Sequence, residues 1–196
     1  FVYNCEMTVG IIIVNFNGRH LLEKNLLSVV NNGYEDFEIV IVDNASIDGS
    51  VEYLKKEFPS VKVVESKENL GFGGGNNLGV KEYPNYDAYL FLNNDISVPK
   101  GFLDNLVKEL QKEDVGAVGP KIVYSKEKVG SEKRIINSAG IYVDRHYMAY
   151  DRYDKEEDNP KYSVVEKIDA LMGGAFLVKR EVFERVGGFN TNMFLY

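Results

Sequence analysis

Four polar clusters stand directly after apolar runs of this chain, and their residue types are those that hold anions, cations and polar ligands. They are Asn15-Phe16-Asn17-Gly18 after residues 9–14, Asp43-Asn44-Ala45-Ser46 after 37–42, Asn69-Leu70-Gly71-Phe72-Gly73 after 61–64, and Asn93-Asn94-Asp95 after 88–92. Asp43 and Asp95 are the carboxylates of the set. A hard cation such as Mg2+ is held by one or two carboxylates together with substrate phosphates, so Asp95 alone suffices as a metal ligand if a diphosphate supplies the rest. The run Gly71-Phe72-Gly73-Gly74-Gly75-Asn76 lets backbone approach a ligand closely and offers helix N-terminal N–H groups to an anion.

Each cluster also has a plain structural reading. Asn, Asp and Gly are the residues of turns and helix caps, which covers Asn17-Gly18 and residues 46–49 equally well, and Asp95 could cap the helix that starts near Lys100. The glycines could serve only to pack a helix closely on a sheet. A dinucleotide fingerprint is disfavoured because Asn76 takes the third glycine position and the stretch follows the third strand, and no phosphate-binding G-x-x-x-x-G-K-[ST] is present. His20 and His146 are isolated in sequence and read as structural or surface residues.

The elements that must position these clusters follow from hydrophobic pattern. The four apolar runs are continuous, as expected of strands buried on both faces of a parallel sheet. Between them, helical spacing is set by Leu22, Leu26 and Val29, by Val51, Leu54 and Phe58, and by Phe102, Leu103, Leu106 and Leu110. The order βαβαβαβα predicts a doubly wound α/β sheet through about residue 120. All four clusters then converge on the carboxyl edge of that sheet, where open α/β folds bind ligands. Beyond it, strand-like pieces at 121–124 and 141–143 are expected. Residues 144–163, charged, Tyr-rich and aperiodic, read as a mobile surface loop. A strand at 175–178 and a helix over 180–186, stopped by Gly187-Gly188, complete the pattern.

Composition excludes several classes. The 196 residues are 44% hydrophobic and 12% aromatic, enough for the core of one domain. Thirty acidic against 23 basic residues give a net charge of −7, with no basic cluster to follow a nucleic-acid backbone. The single Cys5 excludes an internal disulfide framework and a multi-cysteine zinc site, and fits a reducing compartment. The aliphatic run at residues 9–14 is far shorter than the roughly 20 residues of a membrane-spanning helix. The opening FVYNCE lacks the basic region of a signal peptide. Phe194-Leu195-Tyr196 reads as a cut through a structured element, with disorder expected there.

Taken in order, VGIIIVNFNG, IVIVDNASIDGS, ENLGFGGGNNLG, YLFLNNDISVP and DALMGGAFLVKREVFERVGGFN resemble a family 2 glycosyltransferase with the GT-A fold, in particular its rhamnosyltransferase-like branch. The resemblance covers most of the chain. It implies one GT-A domain over 1–196: a mostly parallel sheet flanked by helices for the nucleotide sugar over about 7–120, and a smaller mixed acceptor-side region over about 121–196. By resemblance Asp43 reads the nucleotide base and Asn15, Asn17 and Asn44 lie around it. Gly71, Gly73 and Asn77 lie on the nucleotide-sugar side. Asn76-Asn77 stands where many members have Arg-Asn, which leaves a phosphate-side arginine in doubt. Asn93-Asn94-Asp95 stands for the metal motif D-x-D, of which only the last carboxylate is kept, and Gly173, Gly174 and Gly188-Phe189-Asn190 line the acceptor side.

The implied reaction is inverting transfer from a nucleotide-diphosphate sugar, dTDP-rhamnose or a UDP-sugar, to a glycan or lipid-linked acceptor, with Mg2+ or Mn2+. The general base of similar enzymes would lie just after Tyr196, and Asp169 is the weak candidate within the chain. A cytoplasmic place at the inner membrane face is implied. Two rivals stay open: a nucleotidyltransferase, which would need a glycine-rich basic loop after the first strand, and a nucleotide-sugar-binding module without catalysis.

Overall fold

The computed structural model describes residues 7–130 and 132–193. Phe194–Tyr196, which read as a cut through a structured element with disorder expected, lie outside the described residues. In chain order the first half is β1 (Val9–Asn15), α1 (Arg19–Val30), β2 (Phe37–Asp43), α2 (Ser50–Glu57), β3 (Lys62–Glu65), α3 (Gly71–Glu82), β4 (Ala88–Leu92) and α4 (Phe102–Leu110). The second half is β5 (Ala117–Val118), β6 (Ile122–Val123), α5 (Lys126–Val129), β7 (Ile136–Ser138), β8 (Ile141–Val143), β9 (Ala149–Asp151), β10 (Ala175–Lys179) and α6 (Arg180–Val186).

The main sheet has the order β3-β2-β1-β4-β10-β5. β1 pairs in parallel with β2 from Val9↔Phe37 to Asn15↔Asp43, and with β4 from Val9↔Ala88 to Ile12↔Phe91. The chain therefore winds outward from β1 to β3, then returns to the other side of β1. That reversal places the topological switch between the carboxyl ends of β1 and β4. β10 enters antiparallel to both β4 and β5.

Alternate strand residues feed two cores, the period-2 pattern of a sheet covered on both faces. Ile11, Ile13, Ile39 and Ile41 meet Leu22 and Leu26 of α1, Leu54 of α2 and Leu103 and Leu110 of α4. Ile12, Val40, Val42, Tyr89 and Phe91 meet Phe183 of α6, with Leu78 of α3 packed against them. Burial of each such side chain stabilises the fold by about 1.5–3 kcal/mol.

The glycine-rich run differs from the ligand-approach turn considered from sequence. It forms the first turns of α3 itself, and the glycines there let the helix lie against the sheet. A Cβ on Gly75 would fall 2.8 Å from Val14, and one on Gly79 would fall 2.7 Å from Ile12. Glycine costs about 1 kcal/mol relative to alanine within a helix, and the close approach to β1 and β2 is what it allows.

Residues 144–163 also depart from the expected aperiodic loop. They contain β9, paired with β8, and a 3-10 turn at Pro160–Tyr162. Their backbone is tied to β7 and its flank, with the Ile136 N–H donating to the Glu156 carbonyl at 2.8 Å and Asp158 to Arg134 at 2.7 Å. The strand was hidden because all three β9 residues are exposed, so no hydrophobic alternation marks it.

Candidate functional site

At the switch point the central residue is Asn15, the last of β1, fully buried at 0% exposure. Its Oδ1 accepts from Asn94 Nδ2 at 2.9 Å. Its Nδ2 is shared among Asp43 Oδ1 at 3.2 Å, Ser46 Oγ at 3.2 Å and Ser50 Oγ at 3.0 Å. One amide thus joins the ends of β1 and β2, the start of α2 and the loop after β4. Asp43, also buried, spends its second oxygen on the Ser46 N–H at 2.9 Å.

The loop after β2 is braced from β1. Asn17, at φ 50, donates its N–H to Ser46 Oγ and accepts the Ile47 N–H on Oδ1, both at 2.9 Å. Asp48 accepts the Arg19 N–H at 2.9 Å and the Ser50 hydroxyl at 2.5 Å. Burial pushes the Asp48 carboxyl up, but the hydrogen bonds from Ser50 and Arg19 outweigh it and hold the group below the usual aspartate range.

Asn44 is 1% exposed and donates to Asn69 Oδ1 at 3.3 Å and to the Gly71 carbonyl at 3.1 Å. Its own Oδ1 has no hydrogen-bond partner among the described residues. A buried acceptor left unpaired costs about 1–3 kcal/mol, so this atom is open to a donor from outside the described residues.

Asn93-Asn94-Asp95 is pinned from three elements. The Asn93 N–H donates to the Gly174 carbonyl at 2.9 Å, and the Asn94 carbonyl accepts from Asn25 Nδ2 at 3.1 Å. The Asn94 side chain is the one held by Asn15. Asp95 is left exposed, with no hydrogen bond or ion pair to any described residue. Among the described residues no group of three or more His, Cys, Asp and Glu could hold a metal alone. The donor set fits a divalent ion shared with ligand phosphates, one free carboxylate on a fixed loop, and does not fit a cage built by protein alone.

Other sequence-predicted residues are placed differently. Gly71, at φ 70, opens α3, and its N–H is capped by Asn69 Oδ1 at 2.9 Å. Gly73 faces Phe189, whose Cβ would lie 3.1 Å from an added methyl. Asn77 uses its whole amide on the Phe189 backbone, Nδ2 to the carbonyl and Oδ1 from the N–H, each at 2.9 Å. It clips the 188–190 segment to α3. A Cβ on Gly173 would meet nothing within 4 Å, whereas Gly174 packs against Met172 and Ile96. The Asp169 carboxylate accepts the Val143 N–H at 2.9 Å. His20 and His146 are both exposed.

Sequence reasoning missed Ser50, Asn25 and the role of Gly18. Asn25 carries a signal that could have found it, a polar residue inside the apolar stripe of Leu22, Leu26 and Val29. Gly18 is required by close approach, since a Cβ there would stand 2.4 Å from Asn94 Nδ2 and 2.5 Å from Asn15 Oδ1. Gly18→Ala should therefore part the Asn15–Asn94 pair and lower stability by about 1–3 kcal/mol, as overpacking does. Urea unfolding measures it, and an unchanged midpoint would show that the pair tolerates a methyl group.

Residues 10–187 match the family described as Glycosyl transferase family 2. Among curated proteins the chain is 26% identical over 196 residues to the low-salt glycan biosynthesis hexosyltransferase Agl10 of Haloferax volcanii, covering 96% of this chain and 58% of that protein. It is 24% identical over 206 residues to the N-acetylglucosaminyl-diphospho-decaprenol L-rhamnosyltransferase of Mycobacterium tuberculosis, covering 95% and 66%. The chain thus spans about three fifths to two thirds of the length of these relatives. Among solved structures it is similar to the mannosyltransferase PcManGT of Pyrobaculum calidifontis in complex with GDP-Man and Mn2+, with a TM-score of 0.67, 22% identity, and 96% of this chain and 49% of that one covered. The switch-point sheet is the GT-A fold, and with the family match running from β1 to the end of α6, this chain belongs to glycosyl transferase family 2.

Proposed function

We propose that this chain binds a nucleotide-diphosphate sugar, dTDP-rhamnose or a UDP-sugar, and passes the sugar with inversion to a glycan or lipid-linked acceptor as a hexosyltransferase. The observation that carries the reading is the free Asp95 carboxylate on a loop tied through Asn94 and Asn15 to Asp43. Asp43 accepts an imino N–H of the base, and Asn44 Oδ1 takes a second donor from the nucleoside. Asn17 holds the loop that carries them. Gly71 and Gly73 set the start of α3 beside the donor. Asn93 and Asn94 fix Asp95 where it meets the diphosphate, and Asp95 is the residue that would hold Mg2+ or Mn2+. When bound, such an ion neutralises charge on the departing diphosphate.

Residues 7–120 form the donor half in this reading and 121–196 the acceptor half, with Gly173, Gly174 and the 188–190 segment facing the acceptor. Asp169, the weak candidate within the chain, has one carboxylate oxygen engaged by the Val143 N–H at 2.9 Å. The mannosyltransferase relative, with GDP-Man and Mn2+ bound, supports a sugar nucleotide and a divalent ion as ligands. No helix of the described residues is long and apolar enough to cross a membrane. A place at the cytoplasmic membrane face agrees with a lipid-linked acceptor.

A thermal-shift panel of nucleoside diphosphates tests the reading, because a ligand of the native state raises its apparent stability. Thymidine and uridine diphosphates should stabilise the chain, and Asp43→Asn, whose amide nitrogen would face the Asn15 or Ser46 donor, should start from a lower ligand-free midpoint, keep its circular dichroism and lose most of the ligand-induced shift. A panel in which no nucleotide shifts the midpoint would sink the proposal.

A further inference from the structure

The β8–β9 hairpin carries an exposed apolar surface that the proposed site does not use. Tyr142 and Tyr150 are direct cross-strand partners, 54% and 52% exposed. Beyond them the turn adds Met148 at 55% and Tyr147 at 91%. Tyr147 is held at φ 61, a conformation where glycine or asparagine is at ease and a bulky aromatic is an outlier. An outlier that keeps a large ring in open solvent points to a use for that ring.

The backbone of the turn is already paired within itself. The Asp144 N–H donates to the Met148 carbonyl at 2.9 Å and the Tyr147 N–H to the Asp144 carbonyl at 3.0 Å. The Asp144 carboxylate accepts the N–H groups of His146 at 2.8 Å and Met148 at 3.0 Å. Such a tip can leave bulk water without stranding these peptide groups. Its carboxylate is taken up by the turn's own backbone, and Arg145, exposed and donating its Nε–H to His146 Nε2 at 3.2 Å, is the cation of the tip. Most of the acidic residues that follow are engaged elsewhere, Asp154 by the Tyr124 hydroxyl at 2.8 Å, Glu156 by the Tyr162 hydroxyl at 2.8 Å, Glu157 by Lys133 at 2.6 Å and Asp158 by Lys121 at 2.5 Å, while Asp151 stays exposed at the far end of β9 from the tip.

Exposed rings that are apolar in body and polar at the hydroxyl, on a hairpin whose tip also carries an exposed arginine, complement the headgroup layer of a bilayer, where tyrosine concentrates and arginine meets lipid phosphate. We propose that the β8–β9 hairpin is the surface by which this protein rests on a phospholipid bilayer, with Tyr147 and Met148 inserted at headgroup depth. Only its purpose, reaching a lipid-linked acceptor, rests on the proposed transfer reaction. Through the Ile141–Ala170 bridge and the Val143–Asp169 bond, the hairpin is tied to the segment leading into Gly173-Gly174.

The chain contains no tryptophan, so Tyr147→Trp places a single reporter at the tip. With vesicles of phosphatidylcholine, alone and mixed with phosphatidylglycerol, its emission should shift to the blue and the parent chain should sediment with the vesicles. The double variant Tyr147→Ser, Met148→Ser should bind vesicles roughly tenfold more weakly at unchanged melting temperature and unchanged nucleotide affinity. Failure of nucleotide binding alone would count against the site reading and leave the hairpin untouched. No sedimentation of the parent with either vesicle, or equal binding by the double variant, would overturn the proposal. Self-association by ultracentrifugation, abolished by the double variant without any vesicle binding, would assign the hairpin to a second copy instead.

Discussion

Asn15→Ala should lower the stability of the ligand-free chain by about 3 kcal/mol, a fall of roughly 6 to 12 °C in melting midpoint. The truncation removes both ends of a buried amide at once. Asp43 Oδ1 loses its partner in a site only 3% exposed, and Asn94 Nδ2 loses the acceptor that fixes the loop before Asp95. Buried groups deprived of one partner cost more than the net value of the bond they made, which is why the effect exceeds that of an ordinary surface change. Asn15→Asp should be at least as damaging, because a carboxylate cannot donate to Asp43 and would add a like charge about 3 Å from it. Calorimetric melting of the two variants against the parent checks this. A midpoint within a degree of the parent would mean that the amide is not the link between the two loops.

The second large effect is at Asp95, and it should be confined to ligand binding. Asp95 is exposed and engaged by no described residue, so its removal should change ligand-free stability by less than about 0.5 kcal/mol. Its expected contribution appears only when a diphosphate and a divalent ion are both present, because one carboxylate without phosphate oxygens is a weak site for a hard cation. The contrast between the two residues is a consequence of burial. Asn15 carries structure, whereas Asp95 has been left free by the residues that hold its loop.

Much of this architecture was legible in residue order. The parallel strands declared themselves as unbroken Val and Ile runs because both faces of the sheet are covered, and α1 and α4 showed their buried stripes at helical spacing. β5, β7 and β9 did not, since such short strands depend on the partners that tertiary packing brings to them, whereas the equally short β6 and β8 were marked by β-branched and aromatic residues. Within the site, Asn15, Asp43 and Asp95 were marked by position after a strand. Their connections were not: Ser50 reaches Asn15 across 35 residues, and Asn77 reaches Phe189 across 112, distances over which sequence pattern carries no sign of pairing. The glycine run was ambiguous for a chemical reason. A missing Cβ serves close approach to a ligand and close approach to β1 equally, and only the positions of Val14 and Ile12 show that the sheet occupies that space.

The measurement that bears most directly on the account is titration calorimetry of uridine or thymidine diphosphate, with and without Mn2+, on the parent and on Asp95→Ala. In the parent, Mn2+ should tighten binding on the order of tenfold, about 1.4 kcal/mol, and in Asp95→Ala the affinities with and without Mn2+ should coincide near the metal-free value of the parent. Equal affinity with and without Mn2+ in the parent, or a full Mn2+ effect in Asp95→Ala, would contradict the assignment of the switch-point loop as the place where metal and diphosphate meet.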